Sequence, residues 1–182
     1  MFDHLGLTSE VDVHYLPAKW HNRPEHIVPE LTSLLTDTAE RPVFVAYADC
    51  GTGGGLDRLL ADHPGVERLP GAHCYEMFAG SERFAALHDA EPGTLYLTDY
   101  LARHFEALVW TGLGLNRHPE LLSTYFANYT RVVLLSQHDD GAVLAAAEAA
   151  ADRLGLPLVH QHVGHQHLAD ALPVTIRSGG LT

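Results

Sequence analysis

The chain has 182 residues, 46% hydrophobic and 19% charged, with a mean hydropathy of −0.04. This is the composition of a globular protein, and a chain of this length buries about 70% of its unfolded surface without disulfide staples. Eleven Lys and Arg against 23 Asp and Glu leave a net charge of −12 with His neutral, which argues against nucleic acid and anionic membranes as partners.

Two cysteines form no disulfide framework, so a reducing cytoplasm is the expected compartment. The start, Met1-Phe2-Asp3-His4, lacks the basic and apolar regions of a signal peptide, and no apolar run is long enough to span a bilayer. Fourteen His make the charge less negative in mild acid and supply nitrogen ligands, but scattered surface His decides nothing by itself.

Val11-Asp12-Val13-His14-Tyr15-Leu16 alternates apolar and polar residues up to Pro17, the pattern of a strand. Arg23 to Leu35 reads as a helix with Asn22 as cap and Pro24 in the first position. Val43 to Ala48 is a continuous apolar run, as in a strand covered on both faces, and it ends in Asp49-Cys50-Gly51-Thr52-Gly53-Gly54-Gly55 before a helix from Leu56 to Ala61. Gly65 to Pro70 holds another short strand. Glu76 to His88, Thr98 to Leu113 (capped by Thr98) and Pro119 to Tyr129 read as helices. Val132 to Leu135 is a strand, Ala142 to Leu154 a helix closed by Gly155, and Pro157 to His160 a further strand. The tail 177–182 is expected to fray. The alternation predicts a single α/β domain over 1–182, with a mainly parallel sheet and helices on both faces, and no repeat or linker. Ligands in such folds lie beyond the carboxyl ends of strands.

The polar blocks fall at those ends. In Asp49 to Gly55, a glycine-rich turn lets backbone N–H groups approach an anion, so Gly51, Thr52 and Gly53 are candidate substrate contacts. It is neither a dinucleotide fingerprint nor a P-loop, and it also fits a plain strand–helix turn. Gly71-Ala72-His73-Cys74-Tyr75-Glu76 offers nitrogen, thiolate and carboxylate, all acceptable to Zn²⁺ or another transition metal. Cys50, Cys74 and His73 are therefore the candidate ligands, although each Cys alone also fits a small buried hydrophobe. His21, Asn22 and Arg23 gather a base, an amide and a guanidinium at a helix start, where a capping turn is the plainer reading. Asp99 and Arg103 stand one helical turn apart, which also suits an ordinary helix pair. Arg117-His118-Pro119-Glu120 adds His118 as a substrate contact. His160-Gln161-His162-Val163-Gly164-His165-Gln166-His167 would hold an ion adventitiously, as a weak surface site or none.

Several blocks resemble a bacterial and archaeal domain-of-unknown-function family, number 1638. They are Tyr47 to Gly54, Pro70 to Glu76, Gly93 to Asp99, His21 to Glu25 and His118 to Leu121, together covering about residues 12–156. The resemblance implies a cytoplasmic α/β protein often encoded beside corrinoid-dependent methyltransferases. A corrinoid cofactor or corrinoid-protein partner follows from that neighbourhood alone. Members begin with an additional strand carrying a Cys-Gly turn, and this chain, starting close to Val11, is expected to lack that third thiolate.

The leading expectation is a metal-thiolate enzyme acting on a small molecule, with methyl or other group transfer as the chemistry. Asp49, Glu76, His21 and Asp99 would handle protons, and Arg23 or Arg103 would clamp an anionic substrate. The alternatives are a non-catalytic metal- or cofactor-delivery protein and a metal-free thiol enzyme using Cys50 or Cys74 with a histidine base. An exposed sheet edge suits a homodimer. Geometrically, the two sulfurs are expected within about 4 Å of each other around a shared ion. Asp49, Glu76 and the Gly51 to Gly55 turn should line one cavity, with His21 and Asp99 at its mouth.

Overall fold

A computed structural model describes residues 11–37 and 42–172; the tail 177–182 lies outside them. In chain order the elements are α1 (Ile27–Asp37), β1 (Phe44–Val45), α2 (Gly55–Ala61), β2 (Glu67–Arg68), α3 (Cys74–Ala79), α4 (Ser81–Ala90), β3 (Thr94–Thr98), α5 (Asp99–Arg103), α6 (Leu122–Tyr125), β4 (Arg131–Ser136), α7 (Gly141–Leu154), β5 (Leu158–His162) and α8 (Gln166–Ala171). The fold is α/β, and every strand pair is parallel. No described helix is long and apolar enough to cross a membrane.

The chain divides into two compact units. The first runs to Met77 and resumes at His165. Its core is Ile27 and Leu31 of α1, Val45 of β1 and Leu56 of α2, with Leu16, Trp20 and Tyr47 packed against them. β1 and β2 pair Phe44 with Glu67 and Val45 with Arg68. The two segments stay together past the strands: Asp49 N–H donates to Gly71 O at 3.1 Å and Cys50 N–H to Ala72 O at 2.9 Å.

The second unit, Phe78–Gly164, is built on the sheet β3-β4-β5. Val132, Val133, Leu134 and Leu135 are all at 0% exposure, so this central strand is covered on both faces, which is why it reads as an unbroken apolar run. Helix α7 connects β4 to β5 and packs on both. It buries Val143, Ala147, Ala150, Ala151 and Leu154, a stripe at helical spacing. The Asp140 carboxylate accepts from Ala142 N–H at its start, and Gly155 closes it at φ +70°.

The sequence expectations differ from this in specific ways. Residues 11–16 are no strand, and their burial alternates only as far as His14: Tyr15 is exposed, and Leu16 packs into the first core. The helix expected over 76–88 is two helices, separated at Gly80 with φ +81°. The one expected over 98–113 is the short α5 followed by a π-helical segment, Glu106–Trp110. The one expected over 119–129 is a 3-10 turn followed by α6. β3 is unexpected from sequence, because Thr94-Leu95-Tyr96-Leu97-Thr98 runs into α5 with no turn residue between them.

Candidate functional site

The best-defined constellation forms in the first unit, where the apolar run ends. Tyr47 N–H bonds back to Val45 O at 2.7 Å, which ends β1, and the chain enters the glycine loop. Cys50 has φ +48°, and among the described residues it is the sole non-glycine residue on the left-handed side. That conformation costs on the order of 1 kcal/mol, and such positions gather at functional sites.

Asp49 builds the loop. Its carboxylate accepts from Thr52 Oγ1 at 2.5 Å, Gly53 N–H at 3.1 Å and Gly54 N–H at 2.8 Å. The Thr52 hydroxyl and these N–H groups hold its pKa below the usual carboxylate range, so Asp49 stays ionised as the loop's internal anchor. Gly53 and Gly54, at φ +62° and +74°, allow the turn that presents both N–H groups to it.

Glu76 does the same for the second block. Its Oε2 accepts from Ala72 N–H at 3.1 Å, folding the side chain back over the turn before α3. Gly71 has φ +93°, and a Cβ there would lie 2.5 Å from that oxygen. Gly71→Ala is therefore expected to destabilise the protein by about 1–3 kcal/mol in urea unfolding, from the positive φ and the clash combined.

These two turns bring Cys50 and Cys74 together. Both are free thiols and half-buried by area. The Cys74 thiol hydrogen-bonds the Cys50 sulfur and, against the opposing effect of burial, lowers the Cys50 pKa from 9.0 to about 7. The Cys74 backbone N–H, at the start of α3, adds a second contact to that sulfur. Cys74 moves the other way: the same hydrogen bond and its burial push its pKa well above 9.0. The pair thus favours Cys50 as the thiolate and Cys74 as the thiol.

Two neighbours were not evident from the sequence. Tyr47 lies near enough for both sulfurs, after burial, to raise its phenol pKa. Arg68, paired with Val45 on β2, donates to Asp57 at 2.6 and 2.9 Å and to Leu69 O at 2.7 Å, and its charge acts on both Asp49 and Cys50. The signal for Arg68 was its place in the short 65–70 strand.

Arg23 and Asn22 are exposed at the 3-10 turn preceding α1, and Pro24 of that turn lies 3.4 Å from where a Gly51 Cβ would be. The His21 side chain is exposed by area, while burial of its surroundings lowers its pKa. Pro24, Glu25, Gly51, Thr52, Arg58 and Asp62 line a cavity of about 630 Å³ beside the glycine loop. His73 is exposed immediately before Cys74. Among the described residues no three His, Cys, Asp or Glu side chains are grouped to hold a metal ion, so the chain itself presents two soft ligands at this place rather than a closed shell.

Asp99, Arg103 and His118 belong to the second unit and have partners there. Arg103 pairs with Asp140, and His118 Nδ1 lies 3.2 Å from Glu120 Oε1. Asp99 is buried, and its carboxylate accepts from Gln137 N–H at 3.0 Å, His138 N–H at 3.1 Å and His138 Nδ1 at 2.8 Å.

No curated protein and no solved structure matches the chain. The sequence family described as "Protein of unknown function (DUF1638)" matches residues 15–172, and these include the glycine loop and both cysteines. The chain belongs to that family.

Proposed function

We propose that Cys50 and Cys74 are the reactive centre of an enzyme acting on a small molecule, with Cys50 as the working thiolate and Cys74 as the thiol that stabilises it. The observation that carries this reading is the meeting of the two cysteine-bearing turns at the foot of the glycine loop, where Cys50 N–H donates to Ala72 O at 2.9 Å, two residues before Cys74. A neutral-pH thiolate is a strong soft nucleophile. Its electron pair forms a bond to a soft electrophilic atom of the substrate, such as a transferable methyl carbon, while the leaving group departs with the pair of the broken bond. The cavity beside Gly51 and Thr52 has the size of a small-molecule site. A reducing cytoplasm suits a centre that works as free thiols.

A second reading, metal-thiolate group transfer, draws support from two sulfurs meeting at one place. Zn²⁺ would take both, with His73 as the nearest histidine in sequence, and its remaining positions would be left to substrate. Bound there, the ion would hold a substrate thiol as its thiolate. The corrinoid connection rests on the family neighbourhood alone.

One experiment separates these readings. Protein purified without a histidine tag is analysed for zinc and alkylated with iodoacetamide at pH 7. The thiolate reading expects metal-free protein in which Cys50 is labelled faster than Cys74, and Cys50→Ser abolishes the fast phase. Stoichiometric zinc that shields both cysteines, and that is lost in Cys50→Ser and Cys74→Ser alike, would establish the metal reading instead. Slow, equal labelling of both cysteines in metal-free protein would contradict both.

A further inference from the structure

We propose that His160, His162 and Ser136, at the carboxyl end of the β4–β5 pair, form a second site that takes a late first-row divalent cation such as Ni²⁺, Cu²⁺ or Zn²⁺. It lies within the second unit and uses neither cysteine.

The site follows from strand geometry. Side chains two apart on a strand share a face, so His160 and His162 point the same way. The parallel register sets Leu134 opposite His160 and Ser136 opposite His162, which places the Ser136 side chain beside both rings. The result is convergence on one atom: His160 Nε2 is 2.8 Å and His162 Nδ1 is 3.1 Å from Ser136 Oγ. Ser136 is 1% exposed, whereas both histidines are exposed, so a buried hydroxyl forms the floor and two imidazoles form the rim.

A hydroxyl carries one proton, so Ser136 donates to one ring and accepts an N–H from the other. One inner nitrogen is thus already a lone-pair donor. The second becomes one by a tautomer change, because a neutral imidazole can carry its proton on its outer nitrogen. A cation on the solvent side of Ser136 therefore takes two neutral imidazoles with no net loss of a proton, the Ser136 hydroxyl turning away from the nitrogen it donated to. Among the described residues no third His, Cys, Asp or Glu joins them, so water or a bound ligand takes the other positions. Two imidazoles with a neutral oxygen suit nickel, copper and zinc rather than magnesium or calcium.

The frame around the two rings is fixed. Val163 N–H and Gly164 N–H both donate to Ser136 O, at 2.8 and 3.3 Å, tying the end of β5 to β4. Arg83 donates to Gln161 Oε1, and to His162 O at 3.2 Å. Gln161, between the two histidines, alternates to the opposite face of the strand. Its partner Arg83 thereby clamps the strand from the side away from the rings.

The test is titration of ¹⁵N-histidine-labelled, untagged full-length protein with Ni²⁺, read by paramagnetic broadening of each imidazole and by calorimetry. The His160 and His162 signals are expected to broaden first, below one equivalent. His160→Ala and His162→Ala should each weaken Ni²⁺ binding by about a hundredfold, since a chelate becomes a single ligand. Ser136→Ala keeps both imidazoles and should retain binding to within about tenfold, the loss expected of a supporting group. Cys50→Ser should leave the affinity unchanged. Earlier broadening of other histidines, uniform broadening across all of them, or unaltered affinity in His160→Ala would overturn the assignment.

Discussion

Replacing Cys74 with Ala is expected to move the pH midpoint for alkylation of Cys50 from about 7 toward 9.0. The main cause of the low value is the hydrogen bond from Cys74, and an alanine cannot donate it. At pH 7 the thiolate fraction should then fall from about one half to about 1%. The rate falls less, because the thiolate of a weaker acid is more nucleophilic; about fivefold remains after that compensation. The midpoint, read from the full pH–rate profile, is therefore the better measurement. The signs for stability follow from the same pair. Cys50 is a stronger acid folded than unfolded, so its contribution grows as pH rises from about 7 toward 9.0 and is lost as pH falls through about 7. Cys74 is a weaker acid when folded, so its contribution is present below 9.0 and is lost at higher pH.

Asp99→Ala is the substitution expected to cost most in stability. It leaves two backbone N–H groups, of Gln137 and His138, and the His138 ring facing a small apolar side chain where a buried carboxylate stood. Hydrogen bonds to a charged acceptor contribute about 1.5–3 kcal/mol each, and orphaned donors cost about 1–3 kcal/mol, so a total near 4 kcal/mol is expected. At this chain length that lowers the thermal midpoint by about 10 °C. Asp99→Asn keeps one acceptor oxygen and should lose about half as much. Hydrogen exchange gives the location: protection should fall at residues 136–140, while the first unit, reported by Trp20, is unaffected. Uniform loss of protection would contradict this assignment.

The reading of the sequence succeeded where a feature is local. Of the run Val43 to Ala48, expected as a strand covered on both faces, only Phe44 and Val45 pair and Ala46 is exposed, but the turn that ends it, Asp49 to Gly55, lies where the glycines put it. The segments carrying Cys50 and Cys74 stay hydrogen-bonded past the parallel pair β1–β2, with Cys50 N–H donating to Ala72 O at 2.9 Å. The family likeness expected over 12–156 extends in fact over 15–172. The alternation at Val11 to Leu16 misled, because alternation reports one buried side and cannot supply a partner strand. Helix 98–113 was read through its apolar spacing, which does not distinguish α from π winding.

What could not be read was pairing at long range. Asp99 and His138 are 39 residues apart, and only the β3–β4 register makes them neighbours. Asp49 and Glu76 looked like proton-handling groups because their side chains are acidic and sit at strand ends. The folded chain uses both to satisfy backbone N–H groups of adjacent turns, a need that sequence does not display. Ser136 gave no signal either, since one serine at the end of an apolar strand has no meaning until the register sets it beside His160 and His162.

The central claim is that one of the two cysteines is a thiolate at neutral pH because the other donates to it. Ultraviolet titration of thiolate absorbance in untagged, reduced, metal-free protein measures this directly. One thiolate per chain should appear with a midpoint near 7, the second should appear only above 9.0, and Cys50→Ser should remove the first step while leaving the protein folded. Two thiols titrating together between about 8.5 and 9 would contradict the account.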